Sequence, residues 1–146
     1  MITVLMGAPG AGKSTWVRNN KTGNEHIYNI DAIRANKDLD VNAYTLHMRT
    51  KAIMAAEQGY DIIADATHVL KPHRLIWLKV AARLGVQTRL IMFDITREQL
   101  LQAQTTREFP VKNSVVIDQH RKMQLAKREV YREGWDDIAT FVRPYL

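Results

Sequence analysis

Apolar and polar residues alternate in blocks along this chain. Short uninterrupted apolar runs such as Ile2-Thr3-Val4-Leu5-Met6 and Leu90-Ile91-Met92-Phe93 are followed by longer stretches whose apolar residues recur at three- and four-residue spacing. The short runs predict buried strands and the longer ones amphipathic helices. The strands are expected at Ile2–Met6, His26–Ile30, Asp61–Ala66, Val86–Ile95 and Asp137–Arg143. The helices are expected at Lys13–Asn20, Val41–Gln58, His73–Leu84, Arg97–Thr105 and Ser114–Glu133. Strands alternating with helices predict an α/β fold, a four- or five-stranded mainly parallel sheet sandwiched by helices.

Several boundaries carry their own chemistry. Asp40 is placed to cap the helix that Gly59 ends. On that helix Val41, Tyr44, Thr45, Met48, Ala52 and Ala55 have the spacing of a core face. Pro72 falls in a first turn, where a missing N–H costs nothing. Thr96 and Gln99 form a capping box, and Asn113 or Ser114 is placed to cap the last long helix. The polar, proline-interrupted stretch 105–112 between two helices reads as a mobile loop. There is no internal repeat or linker, so residues 1–146 are expected to be one domain, with a helical lid over roughly 97–130.

Composition narrows the class. The 146 residues include no cysteine, which removes disulfides and thiolate metal sites and suits a reducing, cytoplasmic compartment. No apolar run approaches the roughly 20 residues of a membrane span, and no basic segment precedes the first apolar run, so neither a membrane anchor nor a signal peptide is expected. The net charge of +6 favours polyanionic partners.

The strongest chemical signal lies between the first strand and the first helix. Gly7-Ala8-Pro9-Gly10-Ala11-Gly12-Lys13-Ser14 fits G-x-x-x-x-G-K-[ST], the phosphate-binding P-loop, in the strand–loop–helix setting that motif requires. Its glycines let backbone N–H groups converge on phosphate oxygens at the positive end of a helix, which Thr15 continues. Lys13 supplies a charge for the β- and γ-phosphates, and the Ser14 hydroxyl is placed to ligate Mg²⁺ or Mn²⁺.

Ligands of open parallel sheets bind at the carboxyl ends of the strands. Acids directly after apolar runs are therefore the next candidates. Asp31 follows Tyr28-Asn29-Ile30, with Arg34 one helical turn on. An acid that can accept a hydroxyl proton, beside a guanidinium that can fork onto phosphate, is what a phosphoryl acceptor site needs. Asp65 opens Asp65-Ala66-Thr67-His68, where Asp65 can order a metal-bound water or hold Arg34, and Thr67 can donate to a phosphate or to the acceptor. His68 is expected to be structural, Asp94 to cap or turn, and Trp77 and Trp16 to be core. Arg107, in the proline-broken stretch, is the candidate lid arginine, with Lys112 a weaker one.

This order of motifs resembles the kinase domain of the phage-type 5′-polynucleotide kinases and, more broadly, small P-loop kinases such as zeta toxins and antibiotic phosphotransferases. The strings Gly7–Thr15, Tyr28-Asn29-Ile30-Asp31-Ala32-Ile33-Arg34 and Ile63-Ala64-Asp65-Ala66-Thr67 carry the resemblance, which covers nearly the whole chain. It implies that Lys13 and Ser14 hold donor phosphates and metal. It implies that Asp31 is the general base on a 5′-hydroxyl, that Arg34 grips the neighbouring 3′-phosphate, that Arg107 stabilises the transferred phosphoryl, and that Asp65 supports Arg34. The lid departs from the family pattern. Ala103 and Gln104 stand where an Arg-Asn pair is common, and Val115-Val116 where Val-Pro opens the next helix. No Asp-x-Asp-x-Thr string is present, so kinase activity without a phosphatase is expected.

The expected reaction is transfer of the γ-phosphoryl of ATP or GTP to the 5′-hydroxyl of DNA or RNA, in a host cytoplasm if the gene is phage-borne. A kinase for a small hydroxylated acceptor such as a nucleoside would use the same loop and base. A non-catalytic nucleotide-binding module is the reading outside enzymology.

Overall fold

The structure, a computed structural model, describes residues 1–30, 36 and 38–143. Five strands form one sheet in the order β2-β3-β1-β4-β5, and every pairing is parallel. They are β1 (Ile2–Met6), β2 (Glu25–Asn29), β3 (Asp61–Asp65), β4 (Thr88–Phe93) and β5 (Asp137–Phe141). The helices are α1 (Lys13–Asn20), α2 (Val41–Glu57), α3 (Lys71–Leu84), α4 (Arg97–Gln104) and α5 (Asn113–Glu129), with a 3₁₀ turn at Val130–Arg132. Among the described residues no helix is long and apolar enough to cross a membrane.

The alternation of side chains along β1 divides the core into two layers. Ile2, Val4 and Met6 pack with Ala52 of α2, Trp77 and Val80 of α3, and Met123 and Ala126 of α5. Leu5 faces the other way, into Val17 of α1, Leu100 of α4, Val116 of α5 and the loop alanines Ala8 and Ala11. The loop is therefore part of a packed layer. Its first glycine meets β4 so closely that a Cβ on Gly7 would lie 2.9 Å from Phe93 Cβ.

Most boundaries follow the local signals. Asp40 accepts from the Ala43 N–H, and Thr96 and Gln99 make the reciprocal capping box. Four expectations need correction. Helix α3 begins at Lys71, earlier than His73, with Pro72 inside its first turn. Helix α5 has Lys112 at its N-cap position with no side-chain cap, so neither Asn113 nor Ser114 caps it. Val41 is 52% exposed, because the first turn of α2 projects past the core into the cleft described below. Trp77 is buried, whereas Trp16 is half-buried at the edge of its layer, with the Arg89 guanidinium 5.7 Å from its ring centre.

A buried ion pair ties the two halves of the first layer together. Arg74 of α3 is fully buried and forks onto Glu133, Nη2 to Oε2 at 2.7 Å and Nε to Oε1 at 3.0 Å. Burial pushes the Glu133 carboxyl up, but hydrogen bonds from Arg74 and from the Trp135 indole outweigh it and hold its pKa below the usual carboxylate value. The third arm of Arg74 donates to the His68 carbonyl at 3.0 Å. Removing one member of such a pair strands the other charge in the core, so Arg74→Met is expected to cost about 3–5 kcal/mol of folding stability. Urea unfolding checks it; a loss below about 1 kcal/mol, the worth of an exposed pair, would contradict it.

Candidate active site

The carboxyl ends of β1, β3 and β2 converge on one point. Asn29 and Asp65 are register partners across β2 and β3, and Leu5 and Asp65 across β1 and β3. Asp65 therefore sits between the P-loop and the end of β2. Its Oδ2 accepts from the Ser14 hydroxyl at 3.0 Å and from the Asn29 amide at 3.1 Å. Lys13 is buried, and its ammonium donates to the Gly7 and Ala8 carbonyls at 2.8 and 3.0 Å, at the lip of the loop. Gly10 takes φ +90°, and a Cβ there would lie 2.7 Å from the Gln104 amide nitrogen, so the loop both needs and shields that glycine.

The Gln104 amide is a functional group that the sequence reading left without a role. It donates to the Pro9 carbonyl of the loop and to the Leu100 carbonyl, and it accepts from the Val111 N–H. One side chain thus joins the P-loop to α4 and to the connection before α5. Arg143, beyond β5, brings its guanidinium 3.1 Å from where a Cβ on Gly12 would be.

Behind Thr67 the chain is held by His68. This residue is buried with φ +49°, in the left-handed region that side chains rarely adopt. The Trp77 indole N–H can only donate, so His68 Nε2, 3.0 Å away, must accept. The proton then sits on Nδ1, which donates to the Leu5 carbonyl at 2.7 Å. Burial, with the charges of His73 and Lys13 acting in the same sense, lowers its pKa to about 4 against the opposing bonds to Leu5 and Ala66. His68 is thus a neutral structural ring, as expected. It fixes the turn that presents Thr67, whose carbonyl in turn accepts from the Gly7 N–H at 2.9 Å.

The sign of the linkage follows. The unfolded chain protonates this ring near pH 6.5 and the folded chain near 4, so the stability it contributes is complete above pH 6.5 and is lost as pH falls toward 4. The loss amounts to about 3 kcal/mol over that window. His26 and His120, also lowered by burial, add in the same direction. Urea midpoints at pH 7, 5.5 and 4.5 should fall steadily in the wild type and less steeply in His68→Gln; equal slopes would contradict the assignment.

These parts line one cleft of about 1520 Å³. On one side it takes in residues 9–15 of the loop, Gln102, Thr106, Arg107 and Arg143. On the other it takes in Tyr28, Ile30, the first turns of α2, Thr67, and His73, Ile76 and Trp77 of α3. Arg107 is therefore brought to the cleft, half-buried, and so is Thr67. Asp31 and Arg34 lie outside the described residues. Among those described, five cations (Lys13, Arg18, Arg49, Arg107, Arg143) face the cleft against two carboxylates, Asp65 and Glu98. Such a balance concentrates an anionic ligand. Lys112 is not among the lining residues. Asp94 has no place there either: Lys127 and Gln124 of α5 hold it at 2.8 and 3.3 Å.

The Ser14 hydroxyl and the Asp65 carboxylate suit Mg²⁺, which takes one or two protein oxygens and completes its shell with water and substrate phosphates. Among the described residues no cluster of three His, Cys, Asp or Glu that could hold a metal ion is present.

A P-loop between β1 and α1, on a parallel sheet ordered β2-β3-β1-β4-β5 with helices packed against it, defines an α/β protein of the P-loop kinase fold. The chain belongs to the family described as an AAA domain, whose family model matches residues 2–130. Solved structures share the fold. A chain of the Pnkp1/Rnl/Hen1 RNA repair complex matches with a TM-score of 0.69 at 18% identity, over 88% of this chain and 45% of that one. This chain thus spans less than half the length of that relative. Deoxyadenosine kinase from M. mycoides with bound dATP matches with a TM-score of 0.58 at 18% identity, over 98% and 90%. A structure of the PezAT toxin–antitoxin system of Streptococcus pneumoniae matches with a TM-score of 0.63 at 16% identity, over 98% and 68%.

Proposed function

We propose that this protein is a metal-dependent polynucleotide 5′-hydroxyl kinase. The observation that carries the reading is the two-sided cleft: a complete phosphate loop with Lys13, Ser14 and Asp65 on one side, and a separate apolar and cationic wall on the other. Its 1520 Å³ exceeds the roughly 300–1,000 Å³ of a pocket for one small ligand and leaves room for donor and acceptor together.

In this mechanism the γ-phosphate of ATP or GTP takes over the Lys13 ammonium from the Gly7 and Ala8 carbonyls, while loop N–H groups hold the β-phosphate. Ser14 and Asp65 would hold the Mg²⁺ or Mn²⁺, which when bound neutralises charge shared by the β- and γ-phosphates. Asp31 accepts the proton of the acceptor hydroxyl as its oxygen attacks the γ-phosphorus in line. The bond to the β-phosphate oxygen breaks, and the nucleoside diphosphate leaves. Arg34 grips the acceptor's 3′-phosphate, and Arg107 meets the charge on the phosphoryl in flight. Catalysis is mainly positioning and charge neutralisation.

A second reading, a kinase for a nucleoside or another small hydroxylated acceptor, is favoured by one observation. The match to deoxyadenosine kinase runs nearly end to end on both chains, whereas the match to the repair complex covers less than half of that chain. The test is an acceptor panel of 5′-hydroxyl oligonucleotides, nucleoside 3′-monophosphates and free nucleosides, with γ-labelled ATP and Mg²⁺. Label on oligonucleotides in preference to nucleosides is expected. Equal label on nucleosides would favour the small-acceptor reading, and label on none would overturn both.

A further inference from the structure

The wall of the cleft facing the P-loop is built by α2. Val41, Asn42, Thr45, Leu46 and Arg49 line it, at spacings of one, four, five and eight residues from the first. That is one helix face, about 12 Å long at 1.5 Å per residue. Val41 and Leu46 are 52% and 55% exposed, so this face presents apolar surface to the cleft rather than to the core. It ends in Arg49, whose guanidinium acts on the neighbouring Tyr28 ring. Burial pushes the Tyr28 hydroxyl up, and the charge of Arg49 opposes it. The Tyr28 ring itself is fixed edge-on against Trp77, with centres 5.1 Å apart.

Arg49 is half-buried, and among the described residues it makes no hydrogen bond or ion pair. Fully buried Arg74, by contrast, is matched by Glu133. A partly desolvated guanidinium left without a partner at the end of an apolar stripe is arranged for a ligand that supplies the anion. The donor's phosphates belong to the loop on the opposite side. The anion for Arg49 therefore belongs to the acceptor.

We propose that Arg49 binds a phosphodiester of the acceptor strand, beyond the 3′-phosphate assigned to Arg34, with Val41 and Leu46 supporting the base between them. The inference rests on the proposed phosphoryl transfer and deepens it: the acceptor it selects carries at least two phosphates, and is a strand rather than a mononucleotide. A planar guanidinium fits a phosphodiester by two parallel N–H donors, which a lysine does not reproduce.

The test compares wild type, Arg49→Ala, Arg49→Lys and, as a control, Arg83→Ala, whose exposed partner is Glu57. For a 5′-hydroxyl tetranucleotide, Arg49→Ala is expected to raise KM about tenfold with kcat and the KM for ATP little changed, and Arg49→Lys to fall between. For a nucleoside 3′-monophosphate the same variants should match wild type. Direct binding of the tetranucleotide, read by fluorescence anisotropy, should weaken in Arg49→Ala with a salt slope smaller by about 0.7, the share of one single-strand phosphate. A tenfold loss on both acceptors, or on neither, would overturn the proposal. The anisotropy arm keeps the two readings apart: transfer to no acceptor contradicts the kinase reading, whereas tetranucleotide binding indifferent to Arg49 contradicts this one.

Discussion

Lys13→Met is expected to lower kcat for phosphoryl transfer by about 10²–10³, the range for losing one preorganised charge or donor at the developing charge of a transition state. The substitution keeps the length and apolar stem of the side chain, so the packing of α1 against the loop is retained. What is lost is the ammonium that the Gly7 and Ala8 carbonyls hold at 2.8 and 3.0 Å. Gly7 and Ala8 are themselves buried, so urea unfolding separates any stability lost with these two hydrogen bonds from the loss of chemistry. The check is initial-rate transfer from γ-labelled ATP alongside urea unfolding. A variant that unfolds like the wild type yet transfers within about tenfold of it would show that Lys13 does not serve the reacting phosphates.

Asp31→Ala is the second large effect. A positioned general base contributes about 10²–10⁴, and the expected fall in kcat lies in that range. Nucleotide binding should be nearly unchanged, since the proposed function assigns the donor phosphates to the loop, Lys13 and the Ser14–Asp65 pair. Isothermal titration with ATP and Mg²⁺ measures that half of the prediction. Transfer at the wild-type rate would remove Asp31 from the base's role. Lost transfer together with lost ATP binding would move it to the donor side.

The donor half of this site was legible in the sequence because a phosphate loop is a local object. Its glycines, its lysine and its flanking strand and helix lie within twenty residues. The caps of α2 and α4 were legible for the same reason, since Asp40 and Thr96 act on backbone three residues away. What could not be read is long-range. Nothing near Arg74 in the sequence announces Glu133, 59 residues on. Nothing near Gln104 points to the Pro9 carbonyl, 95 residues back. His68 could be set aside as a base, but its partners Leu5 and Trp77 come from other elements. Val41 has the spacing of a core residue and lies on the cleft wall instead, because periodicity shows that a face is apolar and not what covers it. Asp31 and Arg34 remain assignments from the sequence, carried by the resemblance.

The proposed reaction leaves the γ-phosphoryl on the 5′ oxygen of a nucleic acid. The direct measurement is to incubate the protein with γ-labelled ATP, Mg²⁺ and a 5′-hydroxyl oligonucleotide, then digest the product to mononucleotides. Label is expected in the 5′-terminal nucleoside 5′-monophosphate and in no other position. Unlabelled oligonucleotide, with the label released as inorganic phosphate or left in ATP, would contradict it.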